Sequence, residues 1–111
     1  MTDCLFCKIV NRDIPCKLAH EDEHILAFHD IRPQAPTHVL IIPKHHVATL
    51  NDANPLLLGQ LLSTAQQLAK KTAIAEPGYR IVINCNPAGG QEVYHLHLHL
   101  LAGRQLTWPP G

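Results

Sequence analysis

The chain reads as an α+β domain, with a mostly antiparallel five-stranded sheet carrying one long and one short helix. Three observations predict this. A single long stretch after Pro55 repeats apolar residues at helical spacing, and five short stretches have the length and apolar patterning of strands. The elements then follow one another as α, β, β, β, α, β, β, an order that suits a sheet with helices segregated from it. A length of 111 residues with 46% apolar content is enough for one real core, and no linker, repeat or low-complexity segment divides it, so residues 1–111 are expected to form one domain.

Residues 4–11, CLFCKIVN, fit a short helix whose apolar members are Leu5, Phe6 and Ile9, ended by Pro15. Around the polar turn EDEH, the segments CKLAHED and HILAFHDI alternate in part. They read as a hairpin in which Leu26 and Phe28 share a face. After the proline-rich loop RPQAPT, HVLIIP is a continuous apolar run of strand length, expected to be central and buried on both sides. Asn54 can cap the long helix and Pro55 suits its first position. Leu57, Leu58, Leu61, Leu62, Ala65, Leu68 and Ala69 then mark its inner side up to the breaker EPG. Two last strands, 79–84 and 93–101, are joined by the loop CNPAGGQE.

Nine Lys+Arg balance nine Asp+Glu, so no broad field gathers nucleic acid or an anionic membrane, and neither is expected as a partner. The first residues lack the basic and apolar regions of an export signal, and no stretch approaches the ~20 apolar residues of a membrane span. A cytoplasmic protein is expected. Its four cysteines then suit metal binding or burial better than disulfides.

Histidine is the outlier, with nine in the chain. In YHLHLHLLAG, His95, His97 and His99 alternate with leucines. On a strand this sends the imidazoles to one face and Leu96, Leu98 and Leu100 to the core. At ~3.3 Å per residue, His95 and His99 stand ~13 Å apart, too far for one ion bound through nitrogens ~2.0 Å away. A solvated, histidine-rich strand face is the plain alternative. Catalysis fits better: a neutral imidazole attacks phosphorus or an acyl carbon when its other nitrogen is held protonated by an acceptor, and its neighbours donate to the developing charge. The preceding loop supports this, since Gly89 and Gly90 allow close backbone approach and an anion-binding nest of amides, with Asn84 and Gln91 adding side-chain amides.

Together, HLHLHLL, AFHDIRPQAPTHVLIIPKHH, GYRIVIN, GGQEVYH and GRQLTWPPG resemble the histidine triad (HIT) superfamily over nearly the whole chain. The ending WPPG is similar to its nucleotide-binding Hint branch. The resemblance implies a homodimer that binds purine nucleotides and hydrolyses adenosine or guanosine phosphoramidates, or aminoacyl-adenylates, through a covalent intermediate. It implies His97 as the nucleophile, His99 and His38 beside the phosphate, and Asn84 and Gln91 near the leaving group. Asp30 would accept from the ribose hydroxyls, and Phe6, Ile9, Phe28, Ile31 and Leu40 would form the base pocket, although each is equally readable as core. Gly90, Glu92, Val93 and Trp108 fall at further nucleotide-contacting positions. Glu92 stands where animal members have serine, which puts the leaving-group preference in question, and Ala102 stands where glycine is usual. The tail, 102–111, would reach the partner's active site.

CLFC supplies Cys4 and Cys7 at the spacing of half a zinc site, a weak signal alone. The family resemblance completes it with His46 and His95 as a closed structural zinc site, leaving His97 free; small buried cysteines of a short helix are the alternative, with His95 then an orienting group in the catalytic row. No catalytic cofactor is expected. Two other functions compete with hydrolysis: a purine-nucleotide-binding interaction module with weak residual activity, and a metal-using protein built on the histidine face.

Overall fold

In the computed structural model, which describes residues 3–111, α1 (Leu5–Val10) leads into β1 (Leu18–Glu21), β2 (Ile25–His29) and β3 (Thr37–Pro43). Then come α2 (Pro55–Lys71), β4 (Arg80–Val82) and β5 (Leu98–Ala102). The five strands form one sheet in the order β1-β2-β3-β5-β4, and every neighbouring pair is antiparallel. The last strand in sequence is thus inserted beside the central β3.

The period of two along the strands divides the core into two layers. Ile25, Ala27, Val39, Ile41, Leu98 and Leu100 face α2, where they meet Leu57, Leu61, Ala65 and Leu68. Leu26, Phe28, Leu40 and Ile42 face the opposite way and pack with Phe6 and Ile9 of α1. The sheet is therefore covered by the long helix on one side and by the short one on the other. His97 and His99 alternate with the α2-facing leucines, so they belong to the α1 side.

Asn54 caps α2 as expected, its Oδ1 accepting the Leu57 amide at 2.8 Å, with Pro55 at the first position. The helix ends at Lys71, short of EPG. Ala73 takes a left-handed φ of 63°, and the amides of Ile74 and Ala75 turn back to the Ala69 carbonyl. Leu62 was expected on the inner side and instead lies outward, half exposed.

Both late strands are shorter than expected. Only residues 80–82 of the 79–84 segment pair, and β5 starts at Leu98 rather than at 93. The β3–β5 ladder reaches Ile41–Leu98, beyond which β3 runs out at Pro43, which has no amide to donate. Residues 93–97 lie instead beside the connection after β3, with the Leu96 amide donating to the Val47 carbonyl at 2.6 Å. His95 and His97 are consequently outside the regular strand, yet Leu96 still enters the core.

Candidate active site

The first triad histidine leans away from the other two. His95 is completely buried, its Nε2 donating to the Pro43 carbonyl at 2.8 Å. A carbonyl only accepts, so the proton is on Nε2 and the lone pair is on Nδ1. That lone pair faces Cys4 Sγ at 3.4 Å and Cys7 Sγ at 3.5 Å, while His46 Nδ1 stands 3.4 Å from Cys7 Sγ. All four donor atoms lie within 4.8 Å of one another. A tetrahedral ion with bonds of ~2.3 Å to sulfur and ~2.0 Å to nitrogen sets such donors about 3.5 Å apart, so the Cys2His2 set suits zinc in both chemistry and spacing. Burial, followed by the neighbouring Cys4, pushes the Cys7 thiol pKa up; two adjacent thiolates call for a cation. Burial also takes the His95 pKa down to about 4, which keeps the ring neutral.

The second histidine is oriented by the backbone of the first. His97 Nδ1 donates to the His95 carbonyl at 2.8 Å, leaving Nε2 with its lone pair. The ring is buried against the edge of Phe6, with centroids 5.1 Å apart, and lies 4.9 Å from the His99 ring. Burial lowers its pKa, opposed by the bond to His95 and the charge of Asp30, so the imidazole is unprotonated at Nε2 near neutral pH. An imidazole held in this way is a competent nucleophile.

His99, on β5, lies opposite Leu40 of β3 in the register, and its Nδ1 is 2.9 Å from Nε2 of His38. Burial, then the neighbouring His97 and His38, brings its pKa down to about 4. His38 is buried as well, its pKa lowered by burial against the pull of Asp30, whose Oδ2 is 3.5 Å from His38 Nε2. Asp30 is held by its own loop, with Oδ1 accepting the Arg32 amide at 2.9 Å. Asp30, His38 and His99 also converge within 4.8 Å, but they are wired together by a hydrogen bond rather than opened toward an ion.

The loop before the triad departs from expectation. Gly90 takes φ 80°, which favours glycine. The amides of Gly89, Gly90 and Gln91, however, donate to the carbonyls of Asn86 and Pro87, so they form a closed turn and not an anion nest. Gln91 is buried, and its amide is fully spent on the backbone: Nε2 donates to Ala48 and Val93, and Oε1 accepts from Asn86. Asn84 Nδ2 donates to the Gly89 carbonyl at 2.7 Å. Glu92 is exposed and Val93 is half-buried against the α1-side core.

Phe6, Ile9, Phe28 and Leu40 gather into that same core layer, beside His97. Ile31 does not join them. It is 93% exposed past the end of β2, which rules out its reading as core. Trp108 is 80% exposed on the tail. Gln34 carries no sequence signal for its part here: its backbone amide donates to His38 Nδ1 at 3.0 Å, and every residue but proline has such an amide.

A family model for the HIT domain matches residues 11–106. The chain belongs to the HIT family. It is 50% identical to a 14 kDa zinc-binding protein of Zea mays, over 96% of this chain and 87% of that protein. It is 47% identical to the purine nucleoside phosphoramidase of Escherichia coli K12, over 94% of this chain and 90% of the enzyme. Among solved structures, a HIT family hydrolase from Legionella pneumophila superposes with a TM-score of 0.95 at 60% identity, covering 98% of this chain and all of that one. The HIT fold thus accounts for the α1-side histidine row.

Proposed function

We propose that this HIT protein is a purine nucleoside phosphoramidate hydrolase working through a nucleotidyl-histidine intermediate. The observation that carries the reading is the bond from His97 Nδ1 to the His95 carbonyl, which leaves the Nε2 lone pair directed away from the backbone. Nε2 forms a bond to the α-phosphorus as the P–N bond breaks and the amine leaves with the bonding pair, taking a proton from solvent. Water then attacks the same phosphorus and gives up a proton to solvent, the Nε2–P bond breaks with its electron pair returning to Nε2, and the nucleoside monophosphate departs with neutral His97 restored. His99 and His38 flank the phosphate. Asp30 accepts from the ribose hydroxyls, and the Phe6, Ile9, Phe28 and Leu40 layer receives the purine, with Ile31 covering it from outside. The E. coli phosphoramidase relative supports this substrate class.

Cys4, Cys7, His46 and His95 hold a structural zinc in this reading, supported by their spacing and by the maize zinc-binding relative. When bound, the ion cross-links α1 to the segment that carries His97. The chain acts as a homodimer in which the 102–111 tail, with its exposed Trp108, reaches the partner's site. Four unpaired cysteines suit the cytoplasm.

The test is to assay wild type and His97→Ala on an adenosine 5′-phosphoramidate, with mass spectrometry for an AMP adduct on His97. We expect turnover and adduct to vanish together in the variant. A variant that hydrolyses as fast as wild type sinks the reading, and AMP binding without any adduct in wild type points to a binding module instead.

A further inference from the structure

The tautomers of His38 and His99 are set in series. The Gln34 amide donates to His38 Nδ1, and an amide N–H never accepts, so neutral His38 carries its proton on Nε2. That nitrogen is 2.9 Å from His99 Nδ1 and donates there, which leaves the proton of His99 on its own Nε2. The orientation of both rings therefore depends on where the Gln34 backbone sits.

The C-terminal turn holds the loop around Gln34 through two separate contacts. Arg104 Nε donates to the Gln34 carbonyl at 3.0 Å, while another guanidinium nitrogen is steadied on the Gln105 carbonyl at 3.3 Å. Next to it, Gly103 adopts φ 98° and lies so close to the loop that a Cβ there would come 2.7 Å from Pro36 Cβ. From the other side, Asp30 holds the loop through the Arg32 amide.

We propose that the Gly103–Arg104 turn is a positioning element for the active site, clamping the Gln34 loop so that His99 presents Nε2–H toward the substrate phosphate. Arg104 bonds to no imidazole; it acts through the Gln34 backbone, whose N–H and C=O lie on either side of its Cα, and two rings. The turn matters to catalysis because a donor at His99 gains strength as negative charge develops, whereas the opposite tautomer would aim a lone pair at it. The catalytic consequence rests on the phosphoramidate reading, but the tautomer is a property of the free protein.

Long-range proton–nitrogen NMR of the full-length, zinc-loaded protein reads the tautomer directly. In wild type, His99 should be protonated at Nε2 and not at Nδ1. In Arg104→Ala a second tautomer should appear, and kcat on an adenosine phosphoramidate should fall about three- to tenfold, the equivalent of one hydrogen bond, with KM little changed. Arg104→Lys, which keeps a donor for the Gln34 carbonyl, should recover most of both. Gly103→Ala should disturb the tautomer in the same sense by lifting the turn off Pro36. A pure wild-type tautomer at His99 in both Arg104→Ala and Gly103→Ala overturns the proposal, even if their Tm or activity falls. Failure of the hydrolase reading would show separately, as an active His97→Ala enzyme with the tautomer results unaffected.

Discussion

The carbonyl of His95 accepts the Nδ1 proton of His97 at 2.8 Å, while the His95 ring points the other way into the pair of cysteines. One residue thus belongs to the Cys2His2 cluster through its side chain and to His97, the proposed nucleophile, through its backbone. Its ring is fixed on a third side by the Pro43 carbonyl. Anything that loosens His95 should be felt both in stability and at His97.

Zinc removal is the first case. Purified protein should contain one zinc per chain, and Cys4→Ser should lose it. A ligand that binds only the folded state at a thousandfold over its Kd contributes about 4 kcal/mol, so the variant should melt well below wild type. Metal analysis with thermal unfolding checks this, and an unchanged Tm in zinc-free protein would count against a structural role.

Glu92 is exposed next to the triad, where a carboxylate attracts a cationic amine but donates a proton poorly at neutral pH. Glu92→Ser should shift the ranking of amine leaving groups more than it alters AMP affinity. Relative kcat/KM values across a series of amines decide it, and an unchanged ranking is the contrary result.

Trp108 stands 80% exposed on the tail, an apolar surface that a second subunit would cover. Deleting residues 105–111 should alter the leaving-group profile. The full-length protein should sediment as a dimer. Identical profiles with and without the tail would separate Trp108 from the active site.

The buried histidines predict an acid-side weakness. His99 has a folded pKa of about 4 against an ordinary 6.5, lowered first by burial, so below pH 6.5 the unfolded chain takes up a proton that the folded chain refuses. Stability should therefore drop as pH falls from 6.5 to 4, with His99 contributing to the loss. His99→Asn should flatten the Tm profile in that window. Parallel wild-type and variant profiles would show that His99 carries no such penalty.

Much of this protein is legible in the sequence because side-chain periodicity is a local property. The alternation HLHLHLL assigns leucines to one layer and imidazoles to the other, and this holds although only residues 98–102 form a regular strand. Asn54 and Pro55 mark the start of α2 because capping involves adjacent residues. Gly89 and Gly90 mislead, since the sequence reveals their backbone freedom but not that their amides close back on Asn86 and Pro87. Ile31 misleads likewise: an apolar residue beside a strand end gives no clue to its exposure.

The sheet class, the two faces and the histidine-bearing segment all follow from spacing along the chain. Which nitrogen of His38, His95, His97 and His99 carries the proton follows only from contacts made across the fold. That choice belongs to Pro43, His95 and Gln34, whose backbone groups reach the rings through the fold. Every residue supplies a carbonyl and nearly every one an amide, so their identity carries no sign of the role that position gives them.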